Sequence, residues 1–141
     1  IVPLLATLPC RVDWIDERES QFPTGLALPA HIRAVCVEPV EAEVSEAPAG
    51  AFYLVLTHSH ALDLEICAAI LRRGDFGFLG LIGSRSKHAR FVRRLRERGL
   101  DPDLIARLVC PIGVPGLRGK EPAVVALSAV AQLLCLSNPG G

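Results

Sequence analysis

Hydrophobic and polar positions alternate or cluster along this chain with two periods, and the change of period marks its elements. Residues 10–16, CRVDWID, place Val12 and Trp14 on one side and end on an acid, as a strand does. Residues 20–31 carry Pro23, Gly25 and Pro29 and read as a loop, and 33–38, RAVCVE, as a short apolar strand. The acidic, Ala/Pro-rich stretch 39–50 has weak periodicity and predicts an exposed connection. FYLVLT at 52–57 is a continuous apolar run, the mark of a strand covered on both faces of a parallel sheet.

A helical pattern follows over 60–73 and stops at Gly74, where a left-handed C-terminal residue is favoured. FGFLGLI at 76–82 predicts the next strand. SRSKHARFVRRLRER at 84–98 predicts the next helix, closed by Gly99, with Phe91, Val92 and Leu95 as its apolar stripe. A helical turn at 101–106 leads to a strand at 108–110 and a Pro/Gly loop at 111–119. A last helix runs over 121–136, with Pro122 in its first turn. Strands alternating with helices predict a doubly wound, Rossmann-like α/β fold with a mostly parallel sheet, right-handed crossovers and a single domain over 1–141.

The opening IVPLLATL resembles the last turns of a helix, and the strand after it ends at Asp16. In a dinucleotide-binding fold such an acid follows the glycine fingerprint by about twenty residues. The first strand and its glycine loop are not in this sequence. The expectation is a C-terminal portion of a longer protein, with a sheet edge that a partner segment or a second copy covers.

Of the 141 residues, 50% are hydrophobic and 21% charged, and acids interrupt or Gly and Pro break every apolar run before it reaches membrane-spanning length. No membrane association is expected. Five cysteines, with no CxxC pair, read as free thiols in a reducing cytoplasm. Net charge is zero but polarised: residues 1–65 hold ten acids and three Arg, the remainder five acids and twelve Arg/Lys. The basic half is the better candidate for meeting an anion.

Three stretches could carry chemistry. THSHALD at 57–63 falls where a strand hands over to a helix, the edge at which open α/β sheets bind ligands. His58, His60 and Asp63 could ligate a metal, but Leu64 stands where a further histidine would be needed; a ligand-facing loop, or a helix cap from Thr57 or Ser59, fits as well. GLIGSRSK at 80–87 combines Gly80 and Gly83 with the helix start at Ser84 and the cations Arg85 and Lys87. It suits a phosphate at a helix N-terminus, or equally a close helix–sheet contact. PIGVPGLRGKEPA at 111–123 spaces Gly113, Gly116 and Gly119 ahead of Lys120 and another helix, a second possible anion cradle. The three loops are expected to share one crevice. Asp16 and Arg18 would complete its rim, an acid there suiting a ribose hydroxyl and an arginine a 2′-phosphate. Helix 84–98 holds seven basic residues against Glu97, without aromatics for base stacking, so a solvated face or a docking surface for an acidic partner is favoured over nucleic acid.

VDWIDERESQFP, LTHSHALDLEI, GLIGSRSKHARFVRRL and CPIGVPGLRGKEPAVVALSAVAQLL together resemble, in order, the C-terminal domain of the XdhC/CoxI family, the xanthine dehydrogenase accessory factors. The resemblance implies a Rossmann-like domain that binds the molybdenum cofactor, a molybdopterin phosphate. It implies as partners a cysteine desulfurase and the apo-form of a molybdenum hydroxylase, with the protein acting as a maturation chaperone and not as the final catalyst. It turns Gly80, Gly83, Ser84, Arg85, Gly113, Gly119 and Lys120 into ligand-contacting candidates, with His58, His60 and Asp63 behind them. None of the five cysteines takes the role of the family's N-terminal cysteine. The alternatives are an NAD(P)-dependent oxidoreductase and a docking module without a small-molecule ligand. Self-association is expected from the open sheet edge and the high apolar content.

Overall fold

A computed structural model describes residues 1–25 and 27–138; position 26 of the predicted 20–31 loop lies outside the described residues. The chain separates into two compact units, Ile1–Glu38 with the chain from Gly113 onward, and Pro39–Ile112.

In the first unit β1 (Val12–Asp16) pairs in parallel with β2 (Ile32–Cys36), Val12 opposite Ile32 and Asp16 opposite Cys36. The connection between them contains a 3-10 turn at Glu19–Gln21, and Phe22 just beyond it sets its ring 4.9 Å from that of Trp14, edge to face. A short α1 (Val2–Leu5) packs on α5 (Pro122–Ser137), whose Pro122 occupies the first turn as expected.

The second unit carries a three-stranded parallel sheet in the order β3 (Phe52–Val55), β4 (Phe78–Leu81), β5 (Leu108–Val109). The crossover from β3 to β4 is α2 (His60–Arg73), that from β4 to β5 is α3 (Arg85–Glu97) with the short α4 (Pro102–Ile105). Local chemistry fixes both long helices. Ser59 and Ser84 accept hydrogen bonds from the amides of Leu62 and Lys87, and Gly74 closes α2 in the left-handed region. The core gathers Ile70 and Leu71 of α2, Leu79 and Leu81 of β4, Leu95 of α3 and Ile105 of α4. No helix among the described residues is long and apolar enough to cross a membrane.

The parallel α/β pattern is as the sequence predicts, but the strands form two sheets where one was expected. Two local expectations also change. The 39–50 connection contains a 3-10 helix, Val40–Glu46, that buries Val40 and Val44 beside α2, with the Arg73 guanidinium donating to the Val44 carbonyl. The apolar run 52–57 is a strand only to Val55. As the edge of its sheet it leaves Phe52 42% exposed, while the strand buried throughout is β4.

Gly80, in the middle of β4, has no room for a side chain. A Cβ there would stand 2.6 Å from Ile112 Cγ2 and 2.8 Å from the Phe78 ring. Gly80→Ala should therefore destabilise the protein by about 1–3 kcal/mol in chemical denaturation, and Ile112→Ala in the same chain should recover part of the loss. An undiminished loss in the double variant would mean that this contact is not the cause.

Candidate functional site

The loops that follow β3 and β4 start from parallel neighbours, and each runs directly into a helix. Their backbones are tied internally. The Thr57 hydroxyl donates to the Ser59 carbonyl (2.9 Å) and accepts from the Ser59 amide (3.1 Å), which shapes the turn ahead of α2. The Ile82 amide donates to the Val55 carbonyl (3.1 Å), carrying the strand register into the second loop.

A buried ion pair joins the two loops. Lys87, in the first turn of α3, sends its ammonium inward to Asp63 Oδ2 of α2 at 2.8 Å; the side chains are 6% and 0% exposed. The same ammonium donates to the Ile82 carbonyl at 2.8 Å and lies 5.3 Å from the centre of the Phe91 ring. The other carboxylate oxygen of Asp63 accepts from the Thr57 amide at 3.0 Å. Asp63 thus also accepts from the loop after β3, and Lys87 also donates to the loop after β4, which is what allows the charges to stay buried.

Gly83 is what lets Lys87 reach inward. Its φ of +146° suits glycine, and a Cβ there would meet Lys87 Cδ at 2.4 Å. So the two glycines of GLIGSRSK each have an internal reason, Gly80 for Ile112 and Gly83 for Lys87. Two thiols line the same interior. Cys110 donates to the Ser84 carbonyl (3.6 Å) and its pKa is raised by burial, with Asp63 adding and Lys87 opposing. Cys67 is pushed up to about 12, by burial first and then by the Asp63 charge.

Of the residues expected at this edge, Asp63 and Lys87 therefore face each other in the interior, Ser84 caps α3 through its hydroxyl, and His58, His60 and Arg85 are exposed. Among the described residues no three His, Cys, Asp or Glu side chains converge as metal ligands.

The remaining candidates belong to the first unit. Asp16, at the end of β1, accepts from the Arg18 amide (2.8 Å) and pairs with the Arg18 guanidinium (3.2 Å). The glycine-rich loop is anchored to α5: the Gly113 amide donates to Gln132 Oε1 (2.7 Å) and the Val114 amide to Ser128 Oγ (2.9 Å). Gly113 has φ +124°, and a Cβ there would be 2.4 Å from Ser128 Oγ. Gly116 and Gly119 also have positive φ; a Cβ at Gly119 would meet Glu121 and Val124, one at Gly116 nothing. Lys120 is exposed, just before a helix whose N-cap residue, Glu121, makes no capping hydrogen bond through its side chain. Ser128 and Gln132 were not singled out from the sequence. Their signal is polar residues four apart in an otherwise apolar helix.

The family model of the XdhC Rossmann domain matches residues 1–133. This chain belongs to the XdhC family. An XdhC relative in Escherichia coli K12, the uncharacterized protein YqeB, is 35% identical over 92 residues, which is 64% of this chain and 16% of that protein. A crystal structure from Bacillus halodurans, described as a xanthine dehydrogenase, superposes with a TM-score of 0.64 at 24% identity over 92% of this chain and 35% of its own, which shows a shared fold. The XdhC domain seen here thus spans a minor part of each of these proteins.

Breaking the buried pair from one side leaves an uncompensated interior charge. Asp63→Asn or Lys87→Met alone should cost about 3–5 kcal/mol in denaturant unfolding, and Asp63→Leu with Lys87→Met together much less. Additive single losses would contradict the pairing.

The thiol makes a pH prediction with a definite sign. Unfolded Cys67 ionises near 9.0 and folded Cys67 near 12, so the stability it contributes is complete below 9.0 and is lost as pH rises through that window. The alkaline loss, up to about 1.4 kcal/mol per pH unit from this group, should be smaller in Cys67→Ala. An equal loss in the variant would show that Cys67 ionises in the fold as freely as out of it.

Proposed function

We propose that the edge formed by the loops after β3 and β4 receives the phosphate end of the molybdenum cofactor, and that the protein serves in maturing a xanthine dehydrogenase-type molybdenum hydroxylase. The observation that carries the reading is the division of charge in GLIGSRSK. Lys87 is neutralised inside the fold, and Arg85, two residues earlier in the same turn, remains exposed. A guanidinium at a helix start, on loops held by a buried ion pair, suits a phosphate dianion. His58 on the adjoining loop and His60 at the start of α2 are exposed, and an imidazole suits the polar edge of a pterin. Membership of the XdhC family supports the same direction.

When bound, the cofactor carries the molybdenum centre destined for the hydroxylase. The work of this chain's own residues is to bind and orient: Arg85 neutralises phosphate, His58 and His60 donate or accept hydrogen bonds, and Asp63 and Lys87 keep the loops in place. In the first unit Lys120 is a second exposed cation for the same class of anion. An apo-hydroxylase that takes the cofactor and a cysteine desulfurase that supplies sulfur are the partners this role requires. A nucleotide reading, NAD(P), would draw on Asp16, but its carboxylate is engaged by Arg18.

The test uses the intact protein from cells that make molybdenum cofactor, assayed for molybdenum and for oxidised-pterin fluorescence. Pterin and metal should co-purify in near-equal amounts. Arg85→Ala should retain roughly tenfold to a hundredfold less, the loss expected for one charge-assisted contact. NAD(P) in place of pterin, or no pterin at all, would overturn the reading.

A further inference from the structure

We infer that the outward face of α3, with the groove beside it, is a docking surface for an acidic polypeptide segment that bears an apolar side chain among its carboxylates. The helix divides its residues sharply. Lys87, Phe91 and Leu95, four apart, are buried, while Arg85, Arg90, Arg93, Arg94 and Arg96, together with Arg98 at its C-cap, are exposed. Arg93, Arg94, Glu97 and Arg98, with Leu64 of α2 among them, line an open groove of about 470 Å³.

Of the cations in this groove, the fold uses Arg98 and leaves Arg93 and Arg94 aside. Arg98 is held by Glu65 of α2 at 2.7 Å, and that contact, before any other, keeps the Glu65 carboxyl below its ordinary pKa. Among the described residues Arg93 and Arg94 take part in no ion pair and no side-chain hydrogen bond. Like charges three and four residues apart on one helix repel one another, so the intramolecular balance disfavours Arg90, Arg93 and Arg94 together. A partner's carboxylates would relieve that repulsion, and guanidinium groups take carboxylates in paired hydrogen bonds.

The lining selects the kind of partner. A nucleic acid would want aromatic faces on which bases stack, and no aromatic side chain lines this groove. A lining of three arginines around Leu64 suits instead a side chain such as leucine with acids on either side. The groove is lined by neither Arg85 nor His58 or His60, so the proposal stands or falls apart from the pterin reading.

The test is fluorescence anisotropy of the intact protein with three labelled probes: a synthetic Asp/Glu peptide with one central Leu, the same peptide with Gly in its place, and a single-stranded oligonucleotide of equal charge. The Leu peptide should bind best, the more weakly the higher the salt. Its affinity should fall about tenfold or more in Arg93→Glu/Arg94→Glu and by less in Arg93→Gln/Arg94→Gln. Both arginines are exposed, so each variant should match the parent in far-ultraviolet circular dichroism. No binding of the Leu peptide, equal binding in the Glu variant, or an oligonucleotide that binds as tightly and responds to the same changes would overturn the proposal.

Discussion

A buried ammonium–carboxylate contact, Lys87 with Asp63, bridges the helix starts that follow β3 and β4. The contact is completely internal, and its partners are chosen from both sides: the Thr57 amide for Asp63, the Ile82 carbonyl and the Phe91 ring for Lys87. Buried ion pairs often add little net stability, because desolvation offsets the attraction. What this one adds is direction. Asp63 can accept from Thr57 and Lys87 only if both helices start where they do, and Lys87 can pass Gly83 only because that residue has no side chain. The raised pKa values of Cys67 and Cys110 follow from the same interior: burial first, and the Asp63 charge second among the causes that raise them.

Much of the fold was legible because its signals are local. Ser59 and Gly74 bracket α2, and Ser84 and Gly99 bracket α3, with capping chemistry that needs no knowledge of the rest of the chain. The period of the apolar residues was enough to place β1, β4 and α5. The pair at the centre was not legible in the same way. Asp63 and Lys87 are 24 positions apart, and each in its own motif reads as a group that faces outward. Val40 and Val44 were hidden among Glu, Ala and Pro, and only their contact with α2 makes 40–46 an ordered turn. The separation into two sheets, and the edge position of β3, are matters of strand pairing, which local pattern does not determine.

The helix α3 shows how one segment can serve several ends. By the proposals made here its first exposed residue, Arg85, meets an anionic ligand, its inward stripe fastens the frame through Lys87, and its outward arginines meet a partner protein. Spacing separates these tasks: residues four apart share the buried face, and their neighbours face water. Under those proposals a ligand surface and a partner surface would not compete, although both draw on one element.

The central claim, that the buried pair organises the loop after β3, is tested most directly by native-state amide hydrogen exchange at Thr57, read residue by residue in the parent protein and in Lys87→Met under conditions where both are folded. The Thr57 amide donates to Asp63, and Asp63 is oriented by Lys87. The account predicts that protection at Thr57 drops sharply in the variant while amides of β4 such as Leu79 keep theirs. Unchanged protection at Thr57 would mean that the loop is held by other contacts and that the pair does not organise the site.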